Sequence, residues 1–187
     1  MAEIIKLYHT GYDEIRDVDI HYGRANADFG QGFYTTDDEE FARRWVREHK
    51  DKETILNVYE LDMEGLKVHR FERGEKWFDY IFNNRHHKPD SIEDVDVIIG
   101  PIANDTIYDT LGIITSGFLK REEAVAMLMI GPCYNQVVIK SEKAVSQLKW
   151  IDSTVLDHDE IVRCREVVAK EEAEYQRLFS EKMREIE

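Results

Sequence analysis

Apolar residues recur along this chain with two periods, and the places where one period gives way to the other mark out its elements. Residues 4–9 alternate after a β-branched start and predict a first strand ending at Tyr8-His9, with Thr10-Gly11 opening a turn. Residues 12–27 are polar with scattered apolar positions and fit a loop, which carries Arg24 and Asn26 just ahead of Gly30 and Gly32. Phe33, Tyr34, Thr35 and Thr36 then form a β-favouring run. Thr36 and Glu39 have the capping-box spacing for a helix over 37–50, whose inner face carries Phe41 and Trp45, flanked by Ala42 and Val46. Two further alternating runs, 54–61 and 66–71, are separated by Met63-Glu64-Gly65 and read as a hairpin.

The second half continues in the same way. Trp77, Phe78, Ile81 and Phe82 have helical spacing over 75–84, and the segment closes on a basic stretch, 85–88, that reads as a solvated loop. A short buried strand over 96–100 is stopped by Gly100-Pro101, and Asn104 and Asp105 then read as the cap of a helix reaching 111. A helix over 120–130 turns Ala124, Met127 and Leu128 inward; a strand over 135–140 opens with Gln136; a short helix over 141–147 and a strand over 148–151 follow. Residues 157–187 contain no Gly or Pro, and Ile161, Val168 and Tyr175 stand seven apart, with Leu178, Phe179, Met183 and Ile186 continuing the stripe. This predicts one long amphipathic helix, packed on its own domain, on a second copy as a homodimer, or on a partner protein.

Composition narrows the function classes. A chain of 187 residues with 42% apolar and 11% aromatic side chains suits one folded domain over 1–156 followed by the C-terminal helix over 157–187. Its net charge of −14 would repel a phosphate backbone, which favours protein over nucleic acid as a macromolecular partner. The longest apolar run, 124–130, is far short of a membrane span, and the first residues carry a strand pattern in place of a signal-peptide core. The expectation is a cytoplasmic protein with no membrane partner. Cys133 and Cys164 lie in unlike contexts, without Cys or His at metal-ligand spacing, and support neither a disulfide framework nor a metal site.

The chemistry-bearing residues sit in three places. His9 closes the first strand; Gly30 and Gly32, free of Cβ, permit tight turns and close ligand approach before Phe33 and Tyr34; Gln136 opens a late strand. Taken singly, His9 reads as a polar strand end or a hydrogen-bonded core histidine, Tyr34 as a core aromatic, and Arg24 as a surface residue.

Taken together, LYHTG, DFGQGFYTT, DVIIGPIAND and NQVVIKSEKAV resemble the ADP-ribosyltransferase superfamily, whose signature is a His on a first strand, a Tyr on a second and commonly a Glu on a later one. More closely, they resemble a bacterial family of ADP-ribosyltransferase-like proteins often paired with a small neighbouring protein in toxin–antitoxin fashion. The resemblance spans 4–150. It implies an α+β fold, an ADP-ribosyltransferase-like split β-sandwich with peripheral helices and the long C-terminal helix. It also implies NAD as substrate. His9 would bond the ribose hydroxyls and the Thr10 backbone the nicotinamide amide. Tyr34 would stack on the nicotinamide ring, and Trp45, at the place of a second aromatic in poly-ADP-ribose polymerase-like members, would close a sandwich with it. Gly11, Gly32 and Phe33 belong to the same cofactor-binding motifs, and Arg24 and Asn26 stand where pyrophosphate or ribose would lie.

Two positions depart from the pattern: Thr10 stands where Gly is common, and Gln136 stands where Glu is usual. Cleavage of the nicotinamide bond develops positive charge on the ribose, which a carboxylate stabilises and an amide cannot, although an amide can orient hydroxyls. With His9, Tyr34 and Gln136 as the catalytic set, the expected function is a toxin-type mono-ADP-ribosyltransferase acting on a macromolecular target and paired with a small antitoxin-like protein. The alternative is a non-catalytic NAD-binding or protein-interaction module on the same fold. RNA phosphate transfer would need basic residues around the cleft, where only Arg24 is well placed.

Overall fold

The computed structural model describes residues 3–45, 49, 51–107, 112–114 and 117–186. Among the described residues, two sheets and six helices build an α+β architecture. Strands β1 (Ile4–Gly11), β3 (Thr54–Asp62) and β7 (Leu148–Leu156) form an antiparallel sheet in the order β1-β3-β7. Strands β2 (Phe33–Thr35), β6 (Asn135–Ile139), β5 (Val97–Pro101) and β4 (Val68–Arg70) form the other, in the order β2-β6-β5-β4.

The apolar pattern explains the layering. Val97, Ile99, Val137 and Ile139 pack with Leu7, Tyr59 and Leu61 of the three-stranded sheet. Ile98 and Val138, on the opposite face, pack with Trp77, Phe78 and Ile81 of α2 (Glu75–Arg85) and with Ala124, Met127 and Leu128 of α4 (Arg121–Leu128). Strands buried on both faces read as continuous apolar runs, as β5 and β6 do. The sheets meet where Tyr8 and Thr36 exchange backbone hydrogen bonds of 2.8 and 3.0 Å, a single bridge joining β1 to the end of β2. That bridge sets the first strand's His9 beside the aromatic strand.

The runs 54–61 and 66–71 do not form the expected hairpin. Gly65, at φ +70°, turns the chain, but β3 stays with β1 and β7 while β4 crosses to the other sheet and pairs parallel with β5. The intervening α2 supplies the crossover that a parallel pair requires.

Helix α1 runs over Glu39–Arg44, with Trp45 as its C-cap; residues 46–48 and 50 of the expected longer helix lie outside the described residues. Its N-cap is Asp38, whose carboxylate accepts from Phe41 N at 2.9 Å, so the Thr36–Glu39 capping box does not form. Thr36 is instead committed to the bridge and donates its hydroxyl to Asn135 O at 2.9 Å. Helix α3 begins as expected, over Asn104–Ile107, with 108–111 outside the described residues. Helix α5 (Glu142–Ser146) leads into β7.

The long C-terminal helix, α6 (His158–Ile186), packs on its own domain. Ile161 joins Tyr8, Ala42, Leu56 and Leu156, while Phe179, Met183 and Ile186 lie against the cluster under α2 and α4. Arg43 pairs with Glu160, and Arg44 reaches Glu171 at 2.6 Å, tying α1 to α6. No helix among the described residues is long and apolar enough to cross a membrane.

Candidate functional site

One cleft of about 450 Å³ opens at the seam between the sheets. It is lined by His9, Thr10 and Gly11 at the end of β1; Tyr12, Arg24, Ala27 and Asp28 in the loop that follows; Tyr34 on β2; Trp45; Thr54 at the start of β3; Ile102 and Thr106 after β5; and Gln136 on β6. The structure thus brings together His9, Thr10, Gly11, Arg24, Tyr34, Trp45 and Gln136 from the sequence-derived set. Asn26, Gly32 and Phe33 are not among the lining residues. Phe33 is buried in the core edge-on to Tyr59. Gly32 packs so closely on β6 that a Cβ there would lie 2.7 Å from Ile139 O.

Strand register explains the convergence. Tyr34 pairs with Val138, and Gln136, two residues from Val138, faces the same side of the sheet. Tyr34 is held from its far end: its hydroxyl donates to Gly30 O at 2.7 Å and accepts from Phe29 N at 2.9 Å. Gly30 takes φ +72°, the left-handed geometry that glycine adopts without penalty. Lys140 braces the same turn through a 2.6 Å bond to Phe29 O. Burial pushes the Tyr34 phenol far above its ordinary pKa, only partly offset by the Phe29 N–H. The residue therefore contributes a fixed ring face and no titrating proton.

His9 Nδ1 lies 2.7 Å from Tyr34 O. A carbonyl only accepts, so Nδ1 carries the proton and Nε2 is left as an acceptor. Burial lowers the imidazole's pKa, against the opposing pull of that hydrogen bond, and keeps the ring neutral. Thr10 sits in regular strand with its hydroxyl donated to Ala42 O at 2.6 Å, so it requires none of the freedom of glycine. Gln136 is 2% exposed, and its Nε2 has no hydrogen-bond partner among the described residues. A buried donor left unpaired costs about 1–3 kcal/mol, and a ligand acceptor would recover it.

Trp45 is 37% exposed and packs against Phe41, which stacks on Tyr134 at 4.3 Å. Tyr134 bonds Glu171 of α6 at 2.9 Å and Arg44 at 3.1 Å, so the wall behind Trp45 is anchored to the C-terminal helix.

Two expectations are corrected, the solvated loop at Arg85 and the helix cap at Asn104 and Asp105. Arg85 is no solvated loop residue: it ends α2 with its side chain 15% exposed, Nε donating to Asp28 at 2.8 Å and both terminal nitrogens to Asp105 at 2.9 and 3.1 Å. Asp105 is therefore an ion-pair partner and not a cap. Asn104 bonds Ile130 O and accepts from Arg73 at 3.3 Å. Asp28 and Thr106 on the cleft wall were not singled out in the sequence; Asp28 stands directly before the glycine turn, whereas Arg85, an ordinary helix-end charge, gave no signal.

Residues 5–150 match the sequence model of a family described as Protein of unknown function (DUF3990). The chain belongs to this family. The part shared with DUF3990 runs from within β1 to within β7 and holds every residue lining the cleft, while α6 lies beyond it. No curated protein and no solved structure matches the chain.

Proposed function

We propose that this chain binds NAD in the cleft and is a mono-ADP-ribosyltransferase of toxin type on an ADP-ribosyltransferase-like split β-sandwich. One observation carries the reading. His9, Tyr34, Trp45 and Gln136, far apart in sequence, line a single cleft in which Gln136 keeps a buried donor unbonded.

In this reading Tyr34 offers its ring face to nicotinamide, a contact worth about 1 kcal/mol beyond the area it buries. Trp45 supplies the second aromatic wall. The Thr10 backbone meets the nicotinamide amide, His9 Nε2 accepts from a ribose hydroxyl, and Gln136 Nε2 donates to a ribose oxygen. Arg24 at the rim matches pyrophosphate oxygens with its guanidinium fork. A nucleophile of the target attacks the anomeric carbon as nicotinamide leaves. The macromolecular target, protein ahead of nucleic acid, and a small antitoxin-like partner belong to the same proposal, as does a dimer through α6, which the size of the chain in solution tests.

The amide at Gln136 favours a second reading, an NAD-binding or interaction module without catalysis. Binding is tested first: NAD is expected to raise the melting temperature of the chain, and Tyr34→Ala to abolish the rise. No rise with wild-type protein would overturn the enzyme and the NAD-binding module alike. Labelled NAD incubated with cell lysate then separates them, since transfer of label to a macromolecule, lost in His9→Ala, belongs only to the enzyme.

A further inference from the structure

The cleft contains an acidic group that the motif residues leave out. Among the described residues, Asp28 supplies the one carboxylate that lines it, at the head of the turn that pins Tyr34. Its side chain is 12% exposed. Arg85 holds it through Oδ1 alone, and Oδ2 makes no hydrogen bond among the described residues. Arg85 is shared: its two terminal nitrogens are taken by Asp105, whose side chain is 1% exposed. Two carboxylates thus share one guanidinium, and Asp28 receives a single hydrogen bond from it. The unbonded Nε2 of Gln136 on the same cleft points independently to a ligand there.

We propose that Asp28 is the carboxylate of this site, stabilising the positive charge that develops on the ribose and so performing the task that Gln136 cannot. The inference rests on the NAD reading above. In the step, the bond between the anomeric carbon and the nicotinamide nitrogen breaks with both electrons going to nicotinamide, which leaves neutral. The positive charge passes to the ribose ring oxygen and anomeric carbon, where Asp28 Oδ2 offsets it. A lone pair of the acceptor, which is water in the absence of a target, forms the new bond, and the acceptor's proton goes to solvent. Arg85 is a positioning residue here, since it fixes Asp28 through Oδ1 and leaves Oδ2 without a hydrogen bond among the described residues.

The test uses purified full-length chain with NAD, measuring binding by melting shift and cleavage by nicotinamide release. Asp28→Asn keeps the shape and an acceptor for Arg85. It is expected to retain the NAD shift while release falls at least ~100-fold, the scale of losing one preorganised electrostatic group. Asp28→Ala in added formate is the second variant, and formate is expected to restore release at least ~10-fold there, as an external carboxylate can fill the gap, while leaving wild type unchanged. Release within about threefold of wild type in Asp28→Asn, or no formate response in a folded Asp28→Ala, would overturn the role of Asp28 and leave the NAD reading standing. Wild-type chain that neither binds nor cleaves NAD would overturn both.

Discussion

The Nδ1 atom of His9 and the carbonyl oxygen of Tyr34 lie 2.7 Å apart, so the two residues that open and centre the cleft are locked to each other. The Tyr8–Thr36 bridge next to them makes this contact a property of the sheet seam. It fixes the imidazole tautomer and leaves Nε2 to accept from a ligand hydroxyl.

That lock has a pH signature. An unfolded histidine takes up a proton near pH ~6.5, whereas His9 in the fold does so only at lower pH because burial opposes the charge. Between those values the unfolded chain binds more protons, and stability is lost as pH falls through the window. His9→Gln should lose less melting temperature than wild type between neutral and mildly acidic buffer. An equal loss in both would show that His9 titrates normally.

Tyr34→Phe isolates the hydroxyl from the ring. Phe29 N–H and Gly30 C=O both lose a partner, and stability is expected to fall by about 1–3 kcal/mol in denaturant titration. The ring remains, so Tyr34→Phe should keep part of an NAD melting shift that Tyr34→Ala loses. Identical behaviour of the two variants would place the function in the hydroxyl.

Gly32→Ala tests the close packing beneath the aromatic strand. The added methyl would meet Ile139 O at 2.7 Å and Val138 Cγ1 at 2.8 Å, and overpacking of this kind costs about 1–3 kcal/mol. Far-UV circular dichroism with thermal melts would read the loss, and an unchanged midpoint would mean that β2 shifts freely on β6.

Arg85→Met removes the shared counter-charge of Asp28 and Asp105. Breaking a buried ion pair from one side is expected to cost about 3–5 kcal/mol. Arg85→Lys should recover only part of it, because an ammonium cannot make the bidentate contact to Asp105 while also reaching Asp28. Full recovery by lysine would mean that only the charge matters.

These contrasts mark what the sequence could and could not disclose. Strands β5 and β6 were legible because burial on both faces leaves a run of Val and Ile, and α6 was legible because its stripe is long and unbroken. His9, Tyr34 and Gln136 could be grouped through the resemblance carried by LYHTG, DFGQGFYTT and NQVVIKSEKAV, which links three residues far apart in the chain. The hairpin failed for a physical reason: Gly65 turns the chain wherever it goes next, and the choice between sheets is made by β5, about thirty residues further on. Thr36 and Asp38 are both good cap residues, and only the bridge to Tyr8 decides between them. The Asp28–Arg85–Asp105 network joins three distant segments through ion pairs, which leave no periodic trace in sequence.

The most direct measurement is a calorimetric titration of the purified chain with NAD, run beside Tyr34→Ala. Saturable one-to-one binding is expected, weakened at least ~10-fold in the variant, which corresponds to about 1.4 kcal/mol. No binding to wild type, or equal binding to both proteins, would contradict a nicotinamide pocket built on Tyr34.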